Sequence, residues 1–340
     1  MFIEPQDPEF YTFWEILYRN SSFISPLYSK RALDYYRQRP LDESKEIIDC
    51  SFVYVKENVP CASLILAKVK KDDRVDLLAY EAPGTSLANE DLLSRKDIVN
   101  INTRIDSVLN GLNGEFTYRD YLDNGYINFI TRRFLSLGCI PYSAFSSIID
   151  LKLEHEYLHQ KIRKSYKSLI NWGKKNLKIE LYDYKNITAE EMENFKNLHI
   201  YVSGRRTRSD ESWAIQLEMI QNNEAFLVIG FLDGKIVTGS FFMYSGSVCY
   251  YGVSASIREM FDKPLSHALV WKAVQYAKDS GYSYFEMGEQ KYIGNPKETD
   301  IDDKNLAISD FKAGFGGDIR VFIDLTLNNY RKKSDPGSFV

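Results

Sequence analysis

Three strand-like runs joined by short turns constrain the fold of this chain most. Residues 226–232, 235–244 and 248–253 are rich in β-branched and aromatic side chains, and turns containing Asp-Gly and Ser-Gly separate them. Asp-Gly is typical of a two-residue β-hairpin turn, because both of its central residues adopt positive φ. This part of the sequence therefore predicts an antiparallel meander.

A helix and another strand follow this meander, and the first half of the chain has the same order of elements. Residues 264–280 carry an apolar stripe at helical spacing, and residues 282–287 resemble a strand. Earlier, β-rich runs at 52–80 precede a helical pattern at 89–112 and a strand at 145–151. We therefore predict an α+β protein with two tandem domains. Each domain has a mixed, largely antiparallel sheet flanked by helices, and the boundaries are 1–154 and 155–340.

Composition excludes several classes of protein. The 340 residues have a formal net charge of -4, and 44% of them are hydrophobic, which is typical of a folded chain. The four cysteines and four histidines lack ligand spacing, so we expect no disulfide framework and no metal site. No apolar run is long enough to span a membrane, and the polar start is unlike a signal peptide. We therefore expect a cytoplasmic protein without integral membrane association.

One segment is basic although the whole chain is slightly acidic. Residues 155–176 predict a single helix whose apolar stripe is flanked by lysines and one arginine. Such a surface can bind nucleic acid. The alternative is a solvated face, or one paired with acidic groups elsewhere, and the net charge favours that alternative.

Three motifs in the second half resemble one known family. GRRTRSDESW (204–213), KPLSHALVWKAVQYAKDSGYSYFEMGE (263–289) and FKAGFGG (311–317) occur in the order and spacing seen in the Fem (FemABX) branch of the Gcn5-related N-acetyltransferase (GNAT) superfamily. The resemblance covers most of residues 155–325. Two features of this chain differ from those of other members of the superfamily. The segment 258–266 has no glycines for a coenzyme A pyrophosphate cradle, and the long coiled-coil arm of some Fem members is absent.

The resemblance implies an N-acyltransferase. Its acceptor would be an amine of a cell-envelope or polysaccharide precursor, such as a nucleotide-linked amino sugar or muropeptide. Acyl-CoA is the favoured co-substrate. The alternative is an aminoacyl-tRNA-dependent transferase acting on a peptidoglycan precursor, and a second alternative is a non-catalytic binding protein. The resemblance also implies that the N-terminal domain is a degenerate GNAT-like domain, and we predict it as a candidate for binding the acceptor.

The candidate site residues combine this resemblance with the chemistry of acyl transfer, which needs a proton acceptor and a donor to the oxyanion. The predicted catalytic residues are Lys312, in a loop between aromatics, Glu289, Tyr251, Glu286 and His267. The predicted substrate-binding residues are Arg205, Arg206, Arg208, Ser266, Phe311 and Phe315, and the predicted cofactor-binding residues are Arg258 and Lys263. For each group the alternative is structural: a solvated charge, a helix cap, or an aromatic side chain packed in the core.

Overall fold

A computed structural model describes residues 1–39, 45–295 and 301–327. In chain order the strands are β1 (Phe2–Ile3), β2 (Glu46–Asp49), β3 (Phe52–Lys56), β4 (Val59–Ile65), β5 (Ala67–Lys71), β6 (Arg74–Leu78), β7 (Thr85–Ala88), β8 (Thr117–Asp120), β9 (Ile140–Asp150), β10 (Lys178–Tyr182), β11 (Ala225–Leu232), β12 (Lys235–Ser245), β13 (Val248–Ser256), β14 (Tyr284–Glu289) and β15 (Asp318–Thr326). The helices are α1 (Phe10–Asn20), α2 (Lys30–Gln38), α3 (Arg95–Leu109), α4 (Phe129–Ser136), α5 (His155–Lys161), α6 (Lys164–Asn176), α7 (Ala189–Ser203), α8 (Asp210–Gln221), α9 (His267–Asp279) and α10 (Asp303–Ala313). Helices and mixed sheets together confirm the predicted α+β class.

These elements form two compact units. Among the described residues, the first unit contains 1–23, 45–144 and 321–327, and the second contains 24–39, 145–295 and 301–320. The second unit thus includes α2 from near the start of the chain, and the first unit includes most of β15 from near its end.

The first unit has two small antiparallel sheets and a further strand pair. The sheet orders are β1-β3-β4-β7 and β2-β5-β6, and β8 pairs antiparallel with β15. Buried side chains of β3 and β4 pack with those of α3 and α4; examples are Phe52, Ile105 and Phe134. Ser94 caps α3 through a reciprocal pair of hydrogen bonds with Asp97, which fixes where this helix begins.

The second unit contains a sheet with helices on both faces. Its strand order is β10-β11-β12-β13-β14-β9, and all neighbours are antiparallel except β13 and β14, which run parallel. Side chains alternate between faces along each strand. In β11, Phe226 and Val228 join the core under α6 and α9, whereas Leu227 and Ile229 join the core under α7 and α8. The predicted meander at 226–253 is thus the centre of this sheet.

The prediction of one helix over 155–176 is wrong. Two helices, α5 and α6, replace it, because the chain turns at Ile162 and Arg163. The backbone N–H of Arg163 donates to the carbonyl of Gly314 at 2.9 Å instead of continuing the helical ladder. Two basic side chains at this break pair with acids: Lys161 with Asp318 at 2.7 Å, and Arg163 with Asp310 at 2.7 Å.

Candidate functional site

The parallel pair β13 and β14 separates part-way along its length. The pairing covers only three residues of each strand and ends where Tyr250 lies opposite Glu286. Strand β13 nevertheless continues to Ser256, and β14 continues to Glu289. Beyond Tyr250, no strand among the described residues pairs with this edge of β13.

Lys312 lies beside this gap. Contrary to the prediction, Lys312 is not in a loop but in the last turn of α10, a helix capped by Asp302. Its Nζ donates to the carbonyl of Glu289 at 3.3 Å. A Cβ placed on Gly288 would lie 3.1 Å from Lys312 Nζ and 3.4 Å from the hydroxyl of Tyr250. The ammonium and the phenol therefore approach the same point of β14, where Gly288 leaves room for both.

The charge of Lys312 is held in a partly buried environment. Burial lowers the pKa of Lys312 from its usual value, and the carboxylates of Glu289 and Glu286 act in the opposite direction. Glu289 also pairs with Lys291 at 2.9 Å and is partly exposed. Desolvation strengthens the interaction of such an ammonium with any negative charge that develops nearby.

Glu286 and Tyr250 form the other side of the cluster. Glu286 is only 3% exposed, and Ser146 on β9 donates to its Oε1 at 3.2 Å. Tyr250 is its register partner on β13, so the two side chains lie on the same face of the sheet. We name the group Lys312, Glu286, Tyr250 and Ser146 the lysine–glutamate cluster.

Tyr250 was missed by the sequence analysis, which selected Tyr251. Tyr251 lies on the opposite face of β13, where its ring stacks on Phe242 with centroids 5.4 Å apart. A bulge between the pairs Phe241–Val253 and Phe242–Tyr251 sets this register. Neighbouring residues of a strand point to opposite faces, so only one of the two tyrosines lies on the face of Glu286, and pairing with β14 decides which one it is.

Three other predicted residues pack together instead of joining the cluster. Phe311, Phe315 and His267 surround Tyr166, with ring centroids 4.6 to 6.3 Å from it or from one another. These aromatic contacts join α10 to α6 and α9. Burial lowers the pKa of His267 to about 4, so its ring is neutral near pH 7. This aromatic group positions the helix that carries Lys312.

Gly314, one residue past the end of α10, makes a close contact with the same aromatic group. A Cβ at this position would lie far inside van der Waals contact with Tyr166 Cε2. We expect Gly314→Ala to reduce the free energy of unfolding by about 1–3 kcal/mol through overpacking. Urea titration measures this change. In a Tyr166→Leu background the same substitution should be less destabilising, and an equal effect in both backgrounds would contradict the explanation.

The three predicted arginines do not form one anion site. Arg205 and Arg206 are exposed, and Arg206 pairs with Asp210 at 2.7 Å. Arg208 is 6% exposed, donates to the hydroxyl of Tyr35 at 2.8 Å and to His199 Nε2 at 3.2 Å, and lies over the ring of Trp213. Arg208 therefore connects α2 with α7 and α8 inside the second unit.

His199, the partner of Arg208, makes stability dependent on pH. Burial and the charges of Arg208 and Arg39 lower the pKa of His199 to about 4, below its ordinary value of 6.5. The unfolded chain therefore binds the extra proton between about pH 6.5 and about pH 4, and stability falls as the pH decreases through that window. The contribution is at most about 1.4 kcal/mol per pH unit. In urea titrations His199→Gln should flatten this dependence, whereas an unchanged slope would contradict the assignment.

The predicted cofactor-binding residues lie in the segment before α9. Arg258 is exposed, and Lys263 pairs with Asp262 at 3.0 Å. The hydroxyl of Ser266 lies 2.9 Å from that of Ser256 on β13. Within the described ranges, no group of three or more His, Cys, Asp or Glu side chains is placed to hold a metal ion.

No helix in the described part of the chain is long and apolar enough to cross a membrane.

Comparison with known proteins supports the fold and leaves the substrate open. No protein-family model matches the chain, and no curated protein matches its sequence. Among solved structures, FemX superposes with a TM-score of 0.68 at 10% identity, covering 95% of this chain and 96% of FemX. L-PGS from Bacillus licheniformis gives 0.59 at 14% identity, with 96% and 93% covered. A tandem GNAT protein from the clavulanic acid biosynthesis pathway gives 0.53 at 11% identity, with 96% and 98% covered.

These likenesses extend over nearly the whole length of each chain, so they describe the two-unit architecture and not one shared motif. The low identities limit the conclusion to fold. The chain is therefore a tandem-domain protein with the FemX-like, GNAT-type fold, as the sequence resemblance implied.

Proposed function

We propose that the chain catalyses N-acyl transfer at the lysine–glutamate cluster. The nitrogen of an acceptor amine attacks the carbonyl carbon of a thioester or ester donor and forms an amide. The bond from that carbon to sulfur or oxygen breaks, and the thiol or alcohol leaves. The observation that carries this proposal is the partly buried ammonium of Lys312, held beside Glu286 and Tyr250 where β13 and β14 separate.

Lys312 is assigned to the oxyanion. As the carbonyl becomes tetrahedral its oxygen gains negative charge, and a fixed cation in a site of low dielectric constant stabilises that charge more than it stabilises the substrate. One donor hydrogen of Lys312 is used by the Glu289 carbonyl, and an ammonium has three. The contact with Glu289 fixes the direction of the side chain and leaves hydrogens for the substrate.

Glu286 is assigned to the proton of the amine. A carboxylate is a suitable general base when it is positioned by hydrogen bonds, and Ser146 supplies one such bond. The hydroxyl of Tyr250 lies near Lys312 on the same face, and we assign it to proton donation to the leaving group. Glu289 has a more exposed carboxylate that pairs with Lys291, so we give it a role in shaping the local charge.

Acyl-CoA remains the favoured donor. The gap between β13 and β14 offers backbone groups that match an amide-bearing arm, and Ser256 and Ser266 lie near the end of that gap. The glycine-free segment before α9 argues for a looser hold on the pyrophosphate. Aminoacyl-tRNA is the alternative, and the exposed Lys164, Lys174 and Lys175 on α6 support it.

The proposed acceptor is an amine of a cell-envelope or polysaccharide precursor, such as a nucleotide-linked amino sugar or muropeptide, and the proposed location is the cytoplasm. For the tRNA-dependent alternative, the acceptor is a peptidoglycan precursor. In both cases we assign acceptor binding to a degenerate N-terminal domain and chemistry to the C-terminal one.

An assay with two donors tests the proposal. The purified chain is incubated with labelled acetyl-CoA or charged tRNA, together with nucleotide amino sugars and muropeptides, and amide products are measured with and without ribonuclease. Transfer from acetyl-CoA that survives ribonuclease supports the favoured form, whereas transfer that ribonuclease abolishes supports the alternative. No product from either donor would instead favour a non-catalytic binding protein.

A further inference from the structure

The solvent side of α6 carries four lysines that take no part in the lysine–glutamate cluster. We call them the lysine face: Lys164, Lys167, Lys174 and Lys175. Tyr166 and Ile170, on the opposite side of the helix, are buried in the core. No acidic residue occurs between Lys161 and Asn176. The helix has 13 residues and is therefore about 20 Å long, so the charges form a stripe along its whole length.

The lysine face is not neutralised within the second unit. Just before α6, Lys161 pairs with Asp318 and Arg163 pairs with Asp310, each at 2.7 Å. None of the four lysines of the face forms such a pair with a carboxylate of the described residues. Lys167 donates to the carbonyl of Gln160 at 3.4 Å, and this neutral acceptor leaves its charge unbalanced. Pairing with acidic groups elsewhere thus accounts for the basic residues at the helix break but not for the lysine face.

The helices beside α6 do not supply the missing negative charge. Together α5, α6 and α9 contain seven lysines and two acidic residues, Glu156 and Asp279. Asp279 Oδ1 already lies 3.0 Å from His155 Nε2. Helices α6 and α9 pack in the same core on one face of the sheet, and Lys272 on the solvent side of α9 is exposed. This helical layer therefore presents a positive surface although the chain has a net charge of -4.

The residue types on this surface suit diffuse negative charge better than individual phosphates of a nucleic acid. Arginine forks bind single phosphates bidentately, and α5, α6 and α9 contain no arginine. A lysine ammonium is a point charge that needs no fixed partner geometry. The aromatic side chains of α6, Tyr166 and Trp172, are buried and half-buried, so this helix has no platform on which bases could stack.

We propose that the lysine face binds peripherally to the surface of an anionic phospholipid bilayer. The ammonium groups lie among the lipid phosphates, and α6 stays outside the hydrocarbon because its apolar side is packed in the core. Each lysine strengthens such binding about fivefold, so the four together contribute about 10²–10³-fold. Binding requires no transfer step, so the proposal stands apart from the catalytic one. The same lysines support the tRNA-dependent alternative above, and the test therefore includes RNA.

Co-sedimentation of the full chain with lipid vesicles tests the proposal. One set of vesicles contains phosphatidylglycerol and phosphatidylcholine in equal amounts, and the other contains phosphatidylcholine alone. We expect the chain to sediment with the anionic vesicles at low salt, to be released by added salt, and to stay in solution with the neutral ones. Fluorescence anisotropy with a labelled RNA hairpin in the same buffer measures binding to nucleic acid.

Two matched variants separate the lysine face from overall charge. Changing all four of its lysines to Gln keeps good helix formers on α6 and should weaken binding to anionic vesicles about 10²–10³-fold. The control makes the same change at four exposed lysines outside this helical layer and should bind like the wild type: Lys45, Lys96, Lys235 and Lys304. Both variants lose four positive charges, and thermal unfolding checks that each is folded.

Three results would overturn the proposal. They are no binding to anionic vesicles, equal loss of binding in both variants, and RNA binding that depends on the lysine face without any binding to vesicles. Vesicle binding that only the lysine-face variant loses supports the proposal, whether or not RNA also binds.

Discussion

Lys312→Met should lower the rate of acyl transfer by about 10²–10³-fold, the loss typical of removing one donor to an oxyanion. Met keeps an unbranched apolar side chain only one heavy atom shorter than that of lysine, but it removes the charge and the three donor hydrogens. Because Lys312 acts on charge that develops in the transition state, we expect kcat to fall while KM changes little. Single-turnover and steady-state rates with the productive donor provide the measurement.

A matched control lies on the same helix. Lys304 is exposed in the first turn of α10, so Lys304→Met makes the same chemical change away from the gap. It should keep wild-type rates. Lys312→Met should unfold at the wild-type temperature or above it, because burial already disfavours the charged form of Lys312. Undiminished turnover in Lys312→Met would remove the lysine from the mechanism.

Among the proposed substitutions, Arg119→Met in the first unit should cause the largest decrease in the free energy of unfolding. Arg119 on β8 forms a two-pronged pair with Asp324 on β15, with Nε to Oδ1 at 2.7 Å and Nη2 to Oδ2 at 3.0 Å. The two side chains are only 7% and 4% exposed. Removing one partner leaves a buried charge without its counter-ion, which costs about 3–5 kcal/mol. Urea titration of the free energy of unfolding measures the loss.

Two further variants serve as controls for this measurement. Arg19→Met breaks an exposed pair with Glu15, whose side chains are 68% and 58% exposed, and should change stability by no more than about 1 kcal/mol. Combining Arg119→Met with Asp324→Leu removes both charges and should recover much of the loss. If Arg119→Met were as stable as Arg19→Met, the buried pair would not hold β8 and β15 together.

Local patterns predicted the second unit well where neighbouring residues decide the structure. The Asp-Gly turn places Asp233 and Gly234 at positive φ between β11 and β12, as a tight hairpin requires. The apolar stripe of α9 packs in the core, with Leu269, Ala273 and Ala277 fully buried. In each case the signal and its structural cause lie within a few residues.

The predictions failed where contacts between residues far apart in sequence decide the structure. The apolar stripe of 155–176 is continuous, but the bond from Arg163 to the Gly314 carbonyl breaks the helix, and no pattern in that segment shows it. Tyr250 becomes a site residue because β13 pairs with β14, which follows it after a whole helix. The helical position of Lys312, by contrast, could have been predicted from local sequence. Asp302 is an N-cap residue that accepts from the backbone N–H of Asn305, and this capping signal marks the start of α10.

The predicted arginines at 205, 206 and 208 are another case in which contacts distant in sequence decide the structure. Arg205, Arg206 and Arg208 were predicted together as substrate-binding residues, but they differ in burial. Arg208 packs inside the second unit against Tyr35 and Trp213, while Arg206 lies at the surface with Asp210. Burial depends on how α2 packs against α8, and α2 is far away in sequence. Charge density along a sequence therefore does not define a binding site unless the fold brings the charges to one surface.

The position of a bound donor carbonyl tests the central claim most directly. A crystal structure of the chain with a non-reactive donor analogue, a ketone analogue of acetyl-CoA or of an aminoacyl-RNA end, locates that oxygen. The account predicts the carbonyl oxygen between β13 and β14, within hydrogen-bonding distance of Lys312 Nζ at about 3 Å. A carbonyl bound away from Lys312 and Glu286 would contradict the assignment of acyl transfer to this cluster.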